Sequence, residues 1–469
     1  MVAESLREIA EVAGGSLLGG DPRSRPSGFS IDSRTLRAGD LFFAIVGPKQ
    51  NGHRFVKESL AKGAMGAVVS DRGSLPDGAA GILVKDTTRG LQDLAARRRA
   101  MANVKVVGIT GSAGKTTTKE MTRQALEGTF TVMASKGNLN NLYGLPLSLL
   151  DLDESHQVAI LEMGISAHGE MTRLAEIANP DVGILTNVYG AHLEFFKDAD
   201  DYARAKAELF AAMRSNTTGV FNNDDERSRR IASSFRGYAV TFAMDSAADF
   251  TAAAYRAEGL AGSSFEIRHS ARRIPARLRF GGSHHAMNAL AAVAAGYMLG
   301  CDVESMADRL SRLDPLSMRG RLFLLRGGVR VLDDSYNANP GGMRAALTVL
   351  AQADAGAGRR VAVLGDMLEL GEGGPALHRE VGRSLAGSGV DTAHLVGPLS
   401  RETAGAAREA GLARVRTYES VEEAIPAVIA DVRPGDSVLV KASRGIGLDR
   451  VVQALQRTLG EGDEEGGNR

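Results

Sequence analysis

The most informative stretch of the chain is VKVVGITGSAGKTT, residues 104–117. Its apolar first half, residues 104–109, predicts a buried strand, and the segment from Lys115 onward predicts a helix. A glycine-containing loop between a strand and a helix binds phosphate, because backbone N–H groups at the helix start point at the anion and the helix dipole favours negative charge there. The stretch therefore predicts a site for a nucleoside triphosphate.

Each position of this loop has an expected role. Gly111 and Gly114 permit positive φ and a close approach of the anion, and Lys115 supplies a mobile cation for the β- and γ-phosphates. Thr116 offers a hydroxyl group to Mg²⁺. The general phosphate-loop pattern has glycine where this chain has Ile109, so a plain glycine turn before a helix is the alternative. The positions predicted to contact the nucleotide are Thr110, Gly111, Ser112, Ala113, Gly114, Lys115, Thr116 and Thr117.

Strand-like and helix-like segments alternate along almost the whole chain, which is the pattern of an α/β protein. A length of 469 residues suggests about three domains at roughly 150 residues each. We expect a small N-terminal α/β domain over residues 1–102, a central phosphate-loop domain with a mostly parallel sheet over 103–315, and a Rossmann-like C-terminal domain over 316–460. The glycine-rich, acidic residues 461–469 predict a disordered tail.

Individual elements are predicted from short apolar runs and from helical spacing. Strands are expected at residues 40–46, 64–69, 104–109, 158–162, 182–186, 219–222, 330–333, 360–365, 392–396 and 437–440. Helices are expected at residues 55–62 and at the alanine-rich residues 286–299.

The composition argues against several classes of function. The 56 basic and 56 acidic residues balance, so no overall positive charge favours nucleic acid as a partner. The basic residues 97–99 are expected on the solvated face of a helix. No apolar run approaches the roughly 18 residues of a membrane span. Cys301 is the single cysteine, which excludes a disulfide within the chain, favours a reducing compartment such as the cytoplasm, and suggests a buried structural thiol.

The loop in the form TGSAGKT resembles that of the Mur ligase superfamily, and the resemblance extends over nearly the whole chain. Residues 32–34, 39–44 and 52–55 are similar to the uridine-nucleotide-binding domain of these ligases. Further segments that resemble superfamily motifs are residues 137–141 with 144–146, residues 161–164, residues 186–187 with 191–194, and residues 205–210.

The C-terminal third is most similar to one group within the superfamily. Residues 332–340 (LDDSYNANP) and 365–371 (GDMLELG) resemble the ligases that add D-alanyl-D-alanine to UDP-N-acetylmuramoyl-tripeptide. The Asp-Asn-Pro-Arg motif of the relatives that add diaminopimelate does not occur in the sequence. The resemblance implies an ATP-dependent ligase of peptidoglycan precursor synthesis, acting on small molecules through an acyl phosphate and releasing ADP and phosphate. It implies a monomer and leaves the third residue of the tripeptide open, as lysine or diaminopimelate.

The resemblance also implies a metal site for two Mg²⁺ ions. Their ligands would be Thr116, Glu162, His192 and a carbamylated Lys206. Glu162 ends a predicted strand, where a metal-binding carboxylate belongs in a parallel sheet. Carbamylation would turn a lysine that repels Mg²⁺ into an anionic oxygen ligand, the kind that this ion prefers.

Other residue roles are carried over in the same way. The implied catalytic residues are Lys115, Glu162, His192, Lys206 and Arg321. The resemblance further implies ATP contacts for Asn288 at the adenine, Asp334 at the ribose and Arg321 at the γ-phosphate. The implied UDP-substrate residues are Ser33, Arg34, Asn138, Asn140 and Asn141, and the implied dipeptide residues are Tyr336, Asn337 and Asn339.

Two positions depart from the superfamily pattern. The usual His-Asn-x-x-Asn reads HHAMN at residues 284–288, so His285 replaces an asparagine expected on the nucleotide. The usual Lys-Gly-Ser-Arg reads KASR at residues 441–444, so Ala442 replaces a glycine.

Three alternative functions follow from the same residues. A different amino-acid ligase or a folate-polyglutamate ligase is distinguished by the nucleotide-sugar domain before Val104, which folate ligases lack. A non-catalytic nucleotide-binding scaffold is favoured only by His285. The residues that argue against it are Lys115, Glu162, His192 and Lys206. A phosphate-loop kinase or switch protein leaves the C-terminal third unexplained.

Overall fold

The computed structural model describes residues 4–47, 50–189, 194–353 and 358–462, which form three sheets with helices packed around them. The predicted α/β class with three sheet-containing parts is confirmed. The predicted domain limits at 102/103 and 315/316 fall between regular elements, and they stay predictions.

The N-terminal part contains a five-stranded sheet in the order β1-β5-β4-β3-β2, antiparallel only between β1 and β5. Its strands are β1 Ser16–Gly19, β2 Gly28–Ser30, β3 Asp40–Phe43, β4 Gly66–Val69 and β5 Gly81–Leu83. Its helices are α1 Leu6–Val12, α2 Val56–Ala61 and α3 Thr87–Met101, with 3₁₀ turns at Gly52–Phe55 and Arg72–Ser74.

The central part is a nine-stranded sheet in the order β14-β13-β12-β11-β10-β9-β6-β8-β7, parallel from β12 to β7 and antiparallel from β12 to β14. Its strands are β6 Lys105–Thr110, β7 Val132–Ala134, β8 Val158–Glu162, β9 Val182–Leu185, β10 Thr218–Asn222, β11 Tyr238–Ala243, β12 Phe250–Glu258, β13 Gly262–His269 and β14 Arg272–Leu278. Its helices are α4 Lys115–Leu126, α5 Gly144–Leu150, α6 Glu170–Ala178, α7 Ala199–Ala212, α8 Glu226–Ser234, α9 Ser283–Met298 and α10 Val303–Ser311.

The C-terminal part is a six-stranded sheet in the order β15-β16-β20-β17-β18-β19, parallel except for the β15–β16 hairpin. Its strands are β15 Arg321–Leu325, β16 Val329–Asp333, β17 Arg360–Gly365, β18 Thr392–Val396, β19 Val415–Tyr418 and β20 Ser437–Lys441. Its helices are α11 Pro340–Ala351, α12 Gly374–Gly387, α13 Ser400–Glu409, α14 Val421–Asp431 and α15 Asp449–Leu459, with 3₁₀ turns at Arg326–Gly328, Gly371–Gly373 and Arg444–Ile446.

The strand order brings the carboxyl ends of particular strands together in the central and C-terminal sheets. In the central sheet, β6 lies between β8 and β9. The chain runs from β6 to β7 and β8 on one side of it and then crosses to β9 and β10 on the other side. Ligands of open α/β sheets bind in the crevice at such a switch point, outside the carboxyl ends of the strands. In the C-terminal sheet, β20 lies between β16 and β17, and the carboxyl ends of β16 and β20 face the same cavity as the end of β6.

The predicted elements are largely found. Strands β8, β17 and β18 have the predicted bounds, and most others differ by one or two residues, although the strand predicted at 40–46 ends at Phe43. The hairpin strands β12–β14 were not predicted, because they carry several charges and lack the continuous apolar runs from which the other strands were predicted. Helix α9 is rich in buried alanine, and these small side chains let it pack closely against α4.

The prediction for the basic residues 97–99 was wrong for two of the three. Arg97 is exposed, but Arg98 and Arg99 are buried. Arg98 pairs with Glu4 and donates to the carbonyl oxygen of Leu150, and Arg99 donates to the carbonyl oxygen of Ala178. A buried arginine is tolerated when it is paired and hydrogen-bonded in this way. Both side chains therefore connect α3 with the central part.

Other sequence predictions have mixed outcomes. Cys301 is buried as expected. Among the described residues, no helix combines the length and apolar character needed to cross a bilayer. The predicted disordered tail begins too early, because Glu461 forms an antiparallel bridge with Leu325 and Gly462 donates to the carbonyl oxygen of Leu324. Residues 463–469 lie outside the described residues.

Candidate active site

A cavity of about 400 Å³ lies between the carboxyl ends of the central and C-terminal sheets. Many of the residues predicted for a nucleotide and substrate site line it. They are Ser112, Ala113, Gly114, Lys115, Thr116, Thr117, Asn138, Asn140, Glu162, Asn288, Asp334, Tyr336, Asn337 and Asn339. The structure thus brings residues from two sheets, more than 200 positions apart in sequence, to one cavity.

The glycines of the phosphate loop are required by their surroundings. Gly114 has φ 81° and immediately precedes α4 as its N-cap, and a Cβ atom there would lie 2.5 Å from Asn288 Oδ1. Gly111 has φ 149°, and a Cβ atom there would lie 1.9 Å from Thr186 Oγ1. Only glycine fits at such contacts, so the loop can lie directly against β9 and α9.

The end of β9 holds the loop in shape. Asn187 accepts from the Ser112 N–H with its carbonyl oxygen and from the Ala113 N–H with Oδ1, both at 2.9 Å. The Thr186 hydroxyl donates to the carbonyl oxygen of Ala113 at 2.6 Å. Lys115 Nζ donates to the carbonyl oxygen of Gly111 at 2.8 Å. Lys115 is therefore folded over the loop, within reach of an anion bound there.

Glu162 connects the phosphate loop with the asparagine-rich segment. Its carboxylate accepts from Thr116 Oγ1 at 2.7 Å and from Asn140 Nδ2 at 2.9 Å, although its side chain is almost fully buried. Burial lowers the pKa of Lys115, and the negative charge of Glu162 partly opposes this shift. The site thus contains a buried carboxylate beside a hydroxyl and an ammonium group.

The hydroxyl of Thr116 and the carboxylate of Glu162 are the hard oxygen donors that Mg²⁺ prefers, so the residues present fit this ion. In the described parts of the chain, no group of three or more His, Cys, Asp or Glu side chains is arranged to hold a metal. A protein that supplies only one or two oxygens typically relies on nucleotide phosphates and water for the remaining ligands of Mg²⁺.

Lys206 lies on α7 and is completely buried. Its Nζ atom is 3.5 Å from Thr110 Oγ1 and 4.2 Å from the centre of the Tyr202 ring. Burial lowers the pKa of Lys206 well below its ordinary value of 10.5, and the nearby charge of Lys115 lowers it further. A neutral amine is the form that reacts with carbon dioxide to give a carbamate, so the environment suits the predicted modification.

The C-terminal wall of the cavity is built at the ends of β16 and β20. Lys441 Nζ pairs with Asp334 Oδ2 at 2.6 Å and donates to the carbonyl oxygen of Asn337 at 2.9 Å. Arg319 lies with its guanidinium carbon 4.1 Å from the centre of the Tyr336 ring. The positive charge of Arg319 also lowers the pKa of Lys115, so the two cations are close enough to interact electrostatically.

Several predicted residues do not line the cavity. Arg321 is exposed and stacks over Phe323, with its guanidinium carbon 5.0 Å from the ring centre. Ser33 and Arg34 belong to the N-terminal part, where Arg34 pairs with Asp32. The remaining residues that do not line the cavity are Thr110, Gly111, Asn141 and Lys206. Thr110 and Gly111 precede the lining residues of the loop. Asn141 Oδ1 instead accepts from the N–H groups of Tyr143 and Gly144. His192 lies outside the described residues.

The two departures from the superfamily pattern are accommodated differently. His285 is 7% exposed, packs between the rings of Phe280 and His284, and has a buried Nδ1 atom with no hydrogen-bond partner in the described residues. Ala442 does not have a positive φ. Its methyl group has room because the neighbouring residue 365 is a glycine; a Cβ atom on Gly365 would lie only 2.8 Å from the Cβ atom of Ala442. Alanine is therefore compatible with the backbone at this position.

Sequence reasoning missed other residues that line the cavity. Arg319 was overlooked because it lies in an irregular segment before β15, between Met318 and Gly320, which have φ 62° and 76°. Tyr189, Asn222 and the first histidine of the HHAMN segment, His284, also line the cavity. The available signal was a polar residue at the end of a buried strand for Asn222, and polar residues directly after the strand for those that follow β9.

Comparisons with known proteins follow the same division of the chain. Three family models match: "Mur ligase family, catalytic domain" over residues 26–99, "Mur ligase middle domain" over 109–296, and "Mur ligase, glutamate ligase domain" over 320–444. The UDP-N-acetylmuramoyl-tripeptide–D-alanyl-D-alanine ligase of Bacillus subtilis is 33% identical, over 97% of this chain and 99% of the relative.

Solved structures give the same result. A crystal structure of MurF from Acinetobacter baumannii superposes with a TM-score of 0.88 at 29% identity, covering 97% of this chain and 98% of that one. The MurF ligase of Thermotoga maritima, solved in complex with ADP, has a TM-score of 0.81 at 28% identity, covering 92% and 97%. The phosphate loop, the buried Glu162 and the similarity over almost the full length show that the chain belongs to the Mur ligase family.

Proposed function

We propose that this chain is an ATP-dependent ligase that joins D-alanyl-D-alanine to UDP-N-acetylmuramoyl-tripeptide in peptidoglycan precursor synthesis. The observation that carries the proposal is the shared cavity, in which Lys115, Thr116 and Glu162 of the central part face Asp334 and Lys441 of the C-terminal part. The names of relatives that match over nearly their full length support the choice of substrates.

The chemistry requires cations at the phosphate loop. A carboxylate must be phosphorylated before an amine can displace its oxygen, and this step brings the substrate carboxylate close to the γ-phosphate of ATP. Two unit negative charges about 4 Å apart repel by about 4 kcal/mol at an effective dielectric constant near 20. Lys115 lies on the loop and Arg319 on the opposite wall, so positive charge is available from both sides. Preorganised charges of this kind stabilise a phosphoryl transfer without rearranging.

Thr116 and Glu162 would hold Mg²⁺, which neutralises phosphate charge when it is bound. We further propose that Lys206 is carbamylated and supplies an anionic oxygen ligand, together with His192, for a second ion. The complete burial of the Lys206 amine, which lowers its pKa, supports the carbamate.

Other residues position the nucleotide. Asn288 contacts Gly114 of the loop, so it would direct ATP along α9, and Asp334 would receive the ribose hydroxyls. We assign the γ-phosphate contact to Arg319, because it already lines the cavity. The role predicted for Arg321 requires a movement between the domains and stays a prediction. Ser33 and Arg34 are proposed to bind the uridine nucleotide, with Asn138 and Asn140 toward the reacting end.

The second step joins the two substrates. The amino nitrogen of the dipeptide bonds to the acyl carbon, the bond from that carbon to the phosphate oxygen breaks, and the nitrogen gives up a proton to phosphate or water. Water must be kept from the acyl phosphate during this step, and the enclosing wall of Asp334, Tyr336 and Lys441 supplies that barrier. The cytoplasmic location and the monomeric state stay predictions.

The proposal is tested by measuring ADP release with ATP and UDP-N-acetylmuramoyl-tripeptide, made with lysine or with diaminopimelate as third residue. Addition of D-alanyl-D-alanine is expected to raise the rate, whereas glutamate or L-alanyl-L-alanine leaves it unchanged. Equal stimulation by glutamate would assign the chain to another branch of the family. Absence of dipeptide-dependent turnover with both tripeptides would contradict the proposal.

A further inference from the structure

A second cavity, of about 350 Å³, lies at the end of the central sheet opposite the active site. It is lined at the amino ends of β6, β8 and β9, whereas the active-site cavity lies at the carboxyl ends of β6 and β8. The six residues of β6, from Lys105 to Thr110, span about 16 Å at roughly 3.3 Å per residue. The two cavities are therefore separate, and we call the second one the back cavity.

The back cavity lies where the N-terminal and central parts of the chain meet. One wall is the end of α3 together with residues 102–104, which lead into β6. The other wall comes from segments of the central part, at Gln157, Asn179, Asp181 and Arg214. The volume is within the range of ~300–1,000 Å³ that is typical of sites for small molecules. A molecule bound here would contact both parts of the chain at once.

Three cations surround a single carboxylate in the back cavity. Arg99 Nη2 lies 3.2 Å from Asp181 Oδ2. Lys105 Nζ and Arg214 Nη2 lie 3.3 and 3.5 Å from Asp181 Oδ1. Oδ2 also accepts from the N–H of Val106 at 3.0 Å, which fixes the orientation of the carboxylate. With three positive charges and one negative charge, these four side chains carry a net charge of +2.

Arg99 is fixed in the wall of this cavity. Its side chain is only 10% exposed, Nε donates to the carbonyl oxygen of Ala178 at 2.9 Å, and Nη2 donates to that of Asn179 at 3.1 Å. Burial lowers the pKa of Arg99, the charge of Asp181 opposes this shift, and the positive charge of Arg214 adds to it. Arg99 and Arg214 therefore lie close enough to repel each other, and an anion between them would relieve that repulsion.

Lys105 and Arg214 are accessible to a ligand, because their side chains are 64% and 50% exposed. Helices α3, α6 and α7 end beside the cavity, and their carboxyl ends oppose the cations with up to about half a negative charge each. Even at that limit, the net charge of +2 falls only to about +0.5. The back cavity therefore attracts anions.

The arrangement of the three cations suits a phosphate group. They come from α3, from β6 and from the segment after α7, so they can meet an anion from three sides. A phosphate group offers three strong acceptor oxygens and about two negative charges near pH 7, whereas a carboxylate offers two oxygens in one plane and one charge. The amide side chains of Asn103 and Gln157 also line the cavity and suit a polar organic group attached to the phosphate.

We propose that the back cavity binds the phosphate group of a small molecule, held by Arg99, Lys105 and Arg214. The ligand is either inorganic phosphate or a phosphomonoester whose polar remainder lies against the side-chain amides. In both cases it joins α3 to the central sheet, at the point where the chain passes from the N-terminal part to the central part. This inference goes beyond the proposed ligase activity and does not depend on it.

Binding is measured on the full-length protein by isothermal titration calorimetry with inorganic phosphate, glucose 6-phosphate and glucose. Sodium chloride keeps the ionic strength constant, because salt screens exposed charges. Inorganic phosphate is expected to bind saturably, and glucose, which carries no phosphate group, is expected not to bind. Lys115→Ala, which removes the cation of the active-site phosphate loop, is expected to keep the Kd of inorganic phosphate within twofold.

Variants of the back cavity are expected to change this Kd in both directions. Arg214→Ala and Lys105→Ala are each expected to raise the Kd of inorganic phosphate at least fivefold, because each removes an exposed cation. Asp181→Asn removes the opposing charge but keeps an acceptor for the Val106 N–H, so it is expected to lower the Kd at least threefold. A folding defect would not tighten binding. Arg236→Ala, at an exposed position just before β11 and outside the cavity, is the matched control and is expected to stay within twofold of wild type.

The comparison of the two phosphates identifies the source of the group. Tighter binding of glucose 6-phosphate would identify a phosphomonoester as the ligand, equal or tighter binding of inorganic phosphate would identify the free ion, and both results support the site. Unchanged Kd values in Arg214→Ala and Lys105→Ala, or no saturable binding of either phosphate, would overturn it. Loss of binding in Lys115→Ala alone would place the phosphate in the active site and would also overturn it. No ligase activity enters these measurements, so their failure would leave the proposed function untouched.

Discussion

Thr116 Oγ1 donates a hydrogen bond of 2.7 Å to Glu162 Oε2, which joins the phosphate loop to the end of the neighbouring strand β8. The same carboxylate accepts from Asn140. One buried acid therefore aligns the loop hydroxyl with the segment that is proposed to meet the UDP-substrate. These two hydrogen bonds offset part of the desolvation cost of burying the Glu162 carboxylate.

Replacing Glu162 by Gln is expected to weaken the binding of Mg²⁺. The amide keeps the size of the side chain but removes the negative charge that would hold the ion. The Mg²⁺ concentration for half-maximal activity is expected to rise by more than about tenfold, since even outer-shell changes cost about 10- to 100-fold in metal affinity. Activity is measured over a Mg²⁺ titration, and an unchanged midpoint would show that Glu162 does not bind the metal.

Lys206→Ala is expected to abolish most of the activity, because it removes the proposed carbamate. Short-chain carboxylates such as formate or acetate, added at millimolar concentration or above, are expected to restore part of it by filling the same position. Lys57→Ala, which removes an exposed lysine on helix α2, is the matched control. Full activity of Lys206→Ala without added carboxylate would contradict the carbamate.

The same lysine predicts a pH dependence of stability. The pKa of Lys206 is lowered on folding, so between that value and 10.5 the unfolded chain binds more protons than the folded protein. The free energy of unfolding contributed by Lys206 therefore rises as the pH rises toward 10.5. In CO₂-free buffer at pH 7, Lys206→Met is expected to have a higher Tm than wild type, with the difference shrinking by pH 10. A lower Tm for Lys206→Met at pH 7 would contradict this account of the buried amine.

Arg319 and Arg321 provide a paired test of the second cation. Arg319 lines the cavity beside Tyr336, whereas Arg321 stacks on Phe323 outside it. Arg319→Ala is expected to lower kcat by about 100-fold, the usual loss for one preorganised donor to a transition state. Arg321→Ala is expected to lower kcat by less than about tenfold. A larger loss of kcat in Arg321→Ala than in Arg319→Ala would assign the γ-phosphate contact to Arg321, which can reach the cavity only if the domains move.

His284 predicts a loss of stability in acid. Burial lowers its pKa from 6.5 to about 4, so at intermediate pH the unfolded chain binds more protons than the folded protein. The stability contributed by neutral His284 is present above pH 6.5 and is lost as the pH falls toward 4. Thermal unfolding of His284→Gln between pH 7 and pH 4 is expected to show a smaller decrease in Tm than wild type. Equal decreases would mean that His284 does not titrate in this range.

Residues of the predicted site that lie close together in sequence line one cavity in the structure, and their roles stay predictions. The loop from Thr110 to Thr116 carries its own signal, because a buried strand, two glycines and a lysine fix both the local structure and the chemistry. Glu162 was also predicted, because a polar residue ending a buried strand stands out against its neighbours.

Features that depend on distant partners were not predicted. Arg98 was expected in solvent, but its partner Glu4 lies 94 positions away, and no local pattern announces that pair. The pairing of Asp334 with Lys441 spans 107 positions and depends on β16 and β20 being neighbours. Arg319 lines the cavity between two residues with positive φ, Met318 and Gly320, a backbone conformation that no local sequence pattern announced.

The most direct test of the central claim is the identity and stoichiometry of the product. Purified protein is incubated with ATP, Mg²⁺, UDP-N-acetylmuramoyl-tripeptide and D-alanyl-D-alanine, and the UDP-linked product and ADP are quantified by mass spectrometry and chromatography. We predict one UDP-linked pentapeptide for each ADP, dependent on all three substrates and lost in Lys115→Ala. ADP formation without any pentapeptide, or a pentapeptide formed equally by Lys115→Ala, would contradict the assignment of this cavity as a ligase site.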